Sequence, residues 1–171
     1  MISLIGARGS GKTTVGRALA ERLARPFADA DAECERRMGR TIADVFAAEG
    51  EAAFRAHEEA TIAALLDGPD GVLATGGGAV LSGSTRGRLR AAGPVVWLTG
   101  TADELAARVA ADGANDRPSL SGQDPAAEMA SVLTARRPLY QEIATITEPT
   151  GGRTPDAIAA SIAARLAEAG P

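Results

Sequence analysis

The run Ile2-Ser3-Leu4-Ile5-Gly6-Ala7-Arg8-Gly9-Ser10-Gly11-Lys12-Thr13-Thr14 decides how the rest of the chain is read. Residues 2–5 form a short apolar stretch, the mark of a buried strand, and Val15, Leu19 and Leu23 then recur at helical spacing. Between strand and helix, Gly6 to Thr13 fits the pattern G-x-x-x-x-G-K-[ST]. The glycines let backbone N–H groups curl around phosphate oxygens, and the opening of the helix adds its positive end. Gly9, Ser10, Gly11, Lys12, Thr13 and Thr14 are therefore expected on the phosphates of a nucleotide. In that pattern Lys12 contacts the β- and γ-phosphates and the Thr13 hydroxyl coordinates Mg²⁺.

The basic inventory isolates the same loop. Of 18 basic residues in the 171-residue chain, Lys12 alone is a lysine and the others are arginines. A G+C-rich coding bias exchanges surface lysines for arginines at little cost. It stalls where a compact ammonium is enclosed between phosphates, which a planar guanidinium does not replace. The absence of a second lysine also rules out N-K-x-D, the guanine-reading motif of GTPases. Small-molecule kinases, nucleotide kinases and mechanical ATPases stay open, the last disfavoured by size. The length suits one domain, spanning residues 1–171. With 45% hydrophobic and 23% charged residues, wholesale disorder is excluded. A net charge of −4 argues against a general nucleic-acid or membrane-surface binder. No apolar run reaches a membrane span. The N-terminus lacks the basic leader of a secretory signal, so a cytoplasmic protein is expected. A single cysteine, Cys34, permits no internal disulfide and no multi-cysteine metal site.

Outward from the loop, helix and strand patterns alternate. Helices are expected at 12–24, 32–38, 41–67 with a break near Gly50, 84–92, 101–112, 126–142 and 155–168. Strands are expected at 27–31, 71–75, 94–98 and 144–147 in addition to the first. The stretch 113–125, GANDRPSLSGQDP, reads as a long functional loop or lid. The sum is an α/β fold, a five-stranded parallel sheet with helices on both faces. Four further constellations bear on chemistry. Asp29 and Asp31 stand two apart at the end of the second strand, so both are expected to point toward its carboxyl edge. Arg55 and Glu58 share a helical face. Gly76-Gly77-Gly78 follows a strand and admits close approach of a substrate to the backbone. Arg117-Pro118 falls in the loop, and Arg136-Arg137-Pro138-Leu139-Tyr140 on the helix after it. His57 and Arg137 read as exposed helix residues, and Trp97, Phe46 and Phe54 as core.

Taken in order, GARGSGKT, DAD, FRAHE, TGGG, RPSL and RRPLY closely resemble the motifs of shikimate kinase. The resemblance spans most of the chain. It implies a three-layer, nucleoside-monophosphate-kinase-like fold with strand order 2-3-1-4-5, a mobile lid at 113–125 and a shikimate-binding region at 31–60. It implies transfer of the γ-phosphate of ATP to the 3-hydroxyl of shikimate, with Mg²⁺, by a monomer. By position, Asp29 would hold Mg²⁺ through water together with Thr13, and Asp31 would bind the substrate hydroxyls and act as base. Arg55 and Arg136 would clamp the carboxylate, with Glu58 bracing them, and Gly76, Gly77 and Gly78 would lie against the substrate. Arg117 would reach the transferring phosphate, while Arg108 and Arg153 would flank the adenine. One departure stands out: Ser119 occupies a position where the family has leucine. Another small polyol acid, such as gluconate, is the alternative acceptor.

Overall fold

A computed structural model describes residues 1–111 and 124–168. Arg117, Ser119 and nearly all of the expected lid lie outside the described residues. Five strands, β1 (Ile2–Ile5), β2 (Phe27–Asp29), β3 (Val72–Ala74), β4 (Val95–Thr99) and β5 (Ile146–Pro149), form one sheet in the order β2-β3-β1-β4-β5. Every pairing is parallel, with Leu4 opposite Ala74 on one side and Val96 on the other. Helices α1 (Lys12–Leu23), α2 (Ala30–Met38), α3 (Ile42–Leu66), α4 (Gly83–Ala92), α5 (Ala102–Ala111), α6 (Pro125–Ile143) and α7 (Pro155–Glu168) connect and cover it. No helix among the described residues is long and apolar enough to cross a membrane.

The central strands are apolar but for Ser3 and Thr99, because each face of the sheet is buried. Leu4, Val72, Val96 and Leu98 turn to one side and pack with Val15 and Leu19 of α1 and Ile158 and Ile162 of α7. Their neighbours Ile5, Leu73, Val95 and Trp97 turn to the other, against Ile62 of α3, Leu89 of α4 and Tyr140 and Ile143 of α6. Outside this sandwich, Cys34, Ile42, Val45 and Phe54 make a small third cluster joining α2 to α3. That cluster anchors the segment expected to carry the acceptor. Gly39 ends α2 at φ 66°, and Gly50 breaks the regular path of α3 at φ 82°, as the two glycine interruptions predict.

Three boundaries differ from expectation. β2 stops at Asp29, because that carboxylate accepts hydrogen bonds from the N–H groups of Asp31 (3.0 Å) and Ala32 (3.3 Å) and so opens α2 at Ala30. Asp31 thus lies in a first helical turn rather than on a strand, and the period-two argument for it does not hold. The last strand runs from Ile146, since α6 continues to Ile143 and the Ala144 N–H still bonds Tyr140. Asp124 and Pro125, expected in the loop, instead cap and open α6.

Candidate active site

The phosphate loop is wedged so tightly that two of its glycines admit no side chain. Gly6 sits at φ 145°, and a Cβ there would fall 2.6 Å from the Leu98 carbonyl oxygen. Gly9 sits at φ 74°, where a Cβ would fall 2.5 Å from the Leu105 carbonyl oxygen. The loop is thereby fixed between β4 and α5. Gly11, at φ 84°, starts α1 with no side-chain cap, leaving the first-turn N–H groups to the cleft. The Lys12 ammonium folds back over the loop and donates to the carbonyls of Gly6 (2.9 Å) and Ala7 (2.8 Å). A cleft of about 410 Å³ runs along residues 8–15 and is closed by Asp29, Asp31, Thr75, Gly77, Arg108, Arg153 and Pro155.

At one end of α1 the Thr13 hydroxyl donates to Asp29 Oδ2 at 2.7 Å, while Asp29 Oδ1 caps α2. One carboxylate serves both jobs. A hydroxyl and a carboxylate oxygen this close are hard donors of the kind Mg²⁺ takes. Among the described residues no cluster of three or more metal-binding side chains exists. A cation that keeps several waters and takes its other oxygens from phosphates needs no such cluster, so the donor set suits Mg²⁺.

Beyond Thr75, three consecutive glycines are closely packed on by side chains and backbone. A Cβ on Gly76 would collide with the Glu58 carboxylate and fall 2.7 Å from Asp31 Oδ1. A Cβ on Gly78 would fall 2.5 Å from Arg55 Nη2. Arg55 donates to Glu58 Oε2 at 2.6 Å and to Glu51 at 2.9 and 3.1 Å, and its guanidinium lies over the Phe54 ring. Glu58 is only 3% exposed, so the pair is largely desolvated. Burial works against the Arg55 charge, but Glu58 and Glu51 outweigh it and hold the guanidinium more firmly protonated than usual. The Gly77 carbonyl accepts from Arg136 Nη1 (3.0 Å) and from the Tyr140 hydroxyl (2.9 Å), which reach it from one face of α6. Arg136 thus bonds Gly77 and Arg55 lies against Gly78, while Asp31 and Glu58 lie against Gly76 and the backbone of Ala7 and Arg8 lies against Gly77.

On the opposite flank, Arg108 ties α5 to two loops. It donates to the Gly9 carbonyl (3.3 Å), the Thr150 hydroxyl (2.9 Å) and the Thr150 carbonyl (3.0 Å). Arg153 donates to Glu148 at 2.5 Å and to the carbonyls of Pro149 and Ala157 at 3.0 and 3.1 Å.

This geometry has close relatives. The shikimate kinase family model matches residues 8–167. The shikimate kinase of Symbiobacterium thermophilum is 46% identical over 169 residues, covering 99% of this chain and 97% of that protein. The chain belongs to the shikimate kinase family. The shikimate kinase of Thermobifida fusca is 48% identical over 98% of this chain and 95% of its own length. The structure of shikimate kinase from Acinetobacter baumannii in complex with shikimate superposes with a TM-score of 0.93 at 38% identity, over 99% of this chain and 93% of that one.

In this shikimate kinase family member, residues 9–14, Asp29, Asp31, Gly77, Arg108 and Arg153 line one cleft, whereas Arg55 and Glu58 line a neighbouring hollow and join the cleft only through Gly76–Gly78, to which Arg136 also bonds. Arg117 lies outside the described residues. His57 and Arg137 are exposed, as expected of bystanders, and Cys34 is buried with its thiol pushed up by desolvation. The sequence reading missed Thr75, Tyr140, Glu148 and Thr150. Tyr140 had a signal, standing four residues after Arg136 on one helix. Glu148 and Thr150 had a weaker one: along β5 burial alternates from Ile146, so both fall on its inward side. Polar residues on an inward face are expected only where they have partners.

Proposed function

We propose that the chain transfers the γ-phosphate of ATP to the 3-hydroxyl of shikimate, releasing shikimate 3-phosphate and ADP on the route to chorismate and aromatic amino acids. One observation carries the reading: three consecutive glycines beside the phosphate-binding loop have Asp31 against Gly76, Arg136 bonded to Gly77 and Arg55 against Gly78. A cyclic polyol acid needs cations for its carboxylate and a carboxylate for its hydroxyls. Guanidinium supplies the bidentate match to a carboxylate. The shikimate-bound relative at 38% identity supports the same acceptor.

The chemistry follows from placement. Phosphoryl transfer asks mainly for positioning and charge neutralisation. The loop N–H groups and the opening of α1 hold the phosphates, and Lys12 leaves its carbonyls to meet the β- and γ-oxygens. Mg²⁺, held by Thr13 and, through water, by Asp29, would neutralise charge between those phosphates. Arg55 and Arg136 orient the ring so that its 3-hydroxyl faces Asp31, which aligns the oxygen and accepts its proton late. Glu58 keeps Arg55 from collapsing elsewhere. Arg108 and Arg153 flank the base, and Arg117, carried over from the family pattern, meets the transferring phosphate. The reaction calls for no nucleic acid, membrane or second subunit, and we read the chain as a cytoplasmic monomer with a lid at 113–125.

A coupled assay of ADP release, run with ATP and Mg²⁺ and either shikimate, gluconate or no acceptor, tests the reading. Release that depends on shikimate is expected. Equal rates with all three, or preference for gluconate, would sink it.

A further inference from the structure

Glu148 is a charged side chain that no step of the reaction uses, yet it is 2% exposed. It stands on β5 between Ile146 and Thr150, on the inward side of the strand beneath α7. Its two oxygens are divided. Oε1 accepts from Arg153 Nη1 at 2.5 Å, and Oε2 from Arg165 Nη1 at 3.2 Å. A buried ion pair is a poor source of stability, because an apolar residue of equal volume does as well or better. A charge at this place calls for another reason, and Arg153 offers one.

Arg153 lines the nucleotide cleft with Pro155. Left alone, an arginine on a loop samples many rotamers and loses that freedom on being ordered. Here its guanidinium is held at three points: the Glu148 carboxylate and the carbonyls of Pro149 and Ala157. A fixed guanidinium plane is a wall on which a flat aromatic base can stack without further ordering. Of the three anchors only Glu148 is charged, and it is itself braced from behind by Arg165, which also donates to the Thr147 carbonyl at 2.7 Å.

We infer that Glu148 is a positioning residue for the nucleotide, acting through Arg153, which it holds as a preformed wall of the base site. The inference rests on the reading of the cleft as an ATP site. The test is titration calorimetry with the non-hydrolysable analogue β,γ-imido-ATP and Mg²⁺, without acceptor, and separately with shikimate. Glu148→Met fills the same volume with no acceptor, and it is combined with Arg153→Met in a double-mutant cycle. Glu148→Met is expected to weaken the analogue about fivefold, and the double variant no further than Arg153→Met alone. Arg165→Met is expected to stay within about twofold of the parent. Shikimate affinity is expected to be unchanged throughout, which a merely structural role would not leave alone. Should Glu148→Met fail to fold, Glu148→Asp, which keeps the charge and shortens the reach, takes its place in the cycle. Unchanged analogue affinity in the Glu148 variant, multiplicative losses in the double variant, or a parallel loss of shikimate affinity would overturn the inference while leaving the ATP reading intact. No binding of the analogue by the parent would overturn both.

Discussion

Lys12 shows what a single side chain must be. Its ammonium lies 2.9 and 2.8 Å from two carbonyls of the loop it serves, a space shaped for a compact donor. Lys12→Arg keeps the charge but brings a planar fork, so kcat should fall by about 100-fold or more with little change in Tm. Near-normal turnover would refute the argument from shape. Gly78 is a second single-residue constraint, for the opposite reason: it must be nothing at all. Gly78→Ala places a methyl against the Arg55 guanidinium. KM for shikimate should rise about tenfold, with KM for ATP nearly unchanged, since the displaced group is proposed to hold only the acceptor. Steady-state kinetics with each substrate varied in turn reads the split.

At the scale of elements, β2 and α2 turn on one carboxylate. Asp29 Oδ1 caps α2 while Oδ2 meets Thr13, so the structural role and the proposed metal role separate by chemistry. Asp29→Asn retains an acceptor for the cap, and its Tm should stay near the parent value. It loses the charge, and the Mg²⁺ concentration for half-maximal rate should rise about tenfold. Asp29→Ala should in addition lose about 1 kcal/mol, or about 2–4 °C in Tm, for the missing cap. The same segment marks where sequence reasoning ran short. FADAD is a weak strand by propensity, and its context between two helical patterns placed both Asp29 and Asp31 on one. The capping bonds that end the strand at Asp29 are a competing local interaction that propensity and context do not see. The loop and α1 were legible because a fixed eight-residue pattern, with glycines at positive φ, leaves one local solution. Arg55 with Glu58 was legible from helical spacing alone. The faces of Tyr140 and Glu148 were legible but their partners were not, because these lie far off in the sequence or around a turn: Gly77 is 63 residues from Tyr140, and the Arg153 fork returns across the loop after β5.

For the whole molecule, the sheet sets every part of the site. The loop after β1, the first turn of α2 after β2, the glycines after β3 and the turn after β5 all open at the carboxyl edge of one parallel sheet, where open α/β folds bind ligands. Stability of this frame should carry the signature of Glu148. Burial raises the affinity of its carboxyl for a proton, but hydrogen bonds from Arg153, Ser161 and Arg165 outweigh burial and hold it below the ordinary value of 4.5. The folded chain therefore keeps this charge at a pH where the unfolded chain takes up a proton. Its stabilising share is complete above about 4.5 and is lost as pH falls through the lower folded value. Calorimetric Tm should drop more steeply below pH 4.5 for the parent than for Glu148→Met, and parallel profiles would contradict the assignment. Phosphorylation of shikimate by the loop, the arginine pair and Asp31 together is read by phosphorus NMR of the product formed from ATP, Mg²⁺ and shikimate. A single phosphate monoester on the 3-oxygen, equal in amount to the ADP released, is expected. ADP accompanied only by inorganic phosphate, or phosphate on another oxygen, would contradict it.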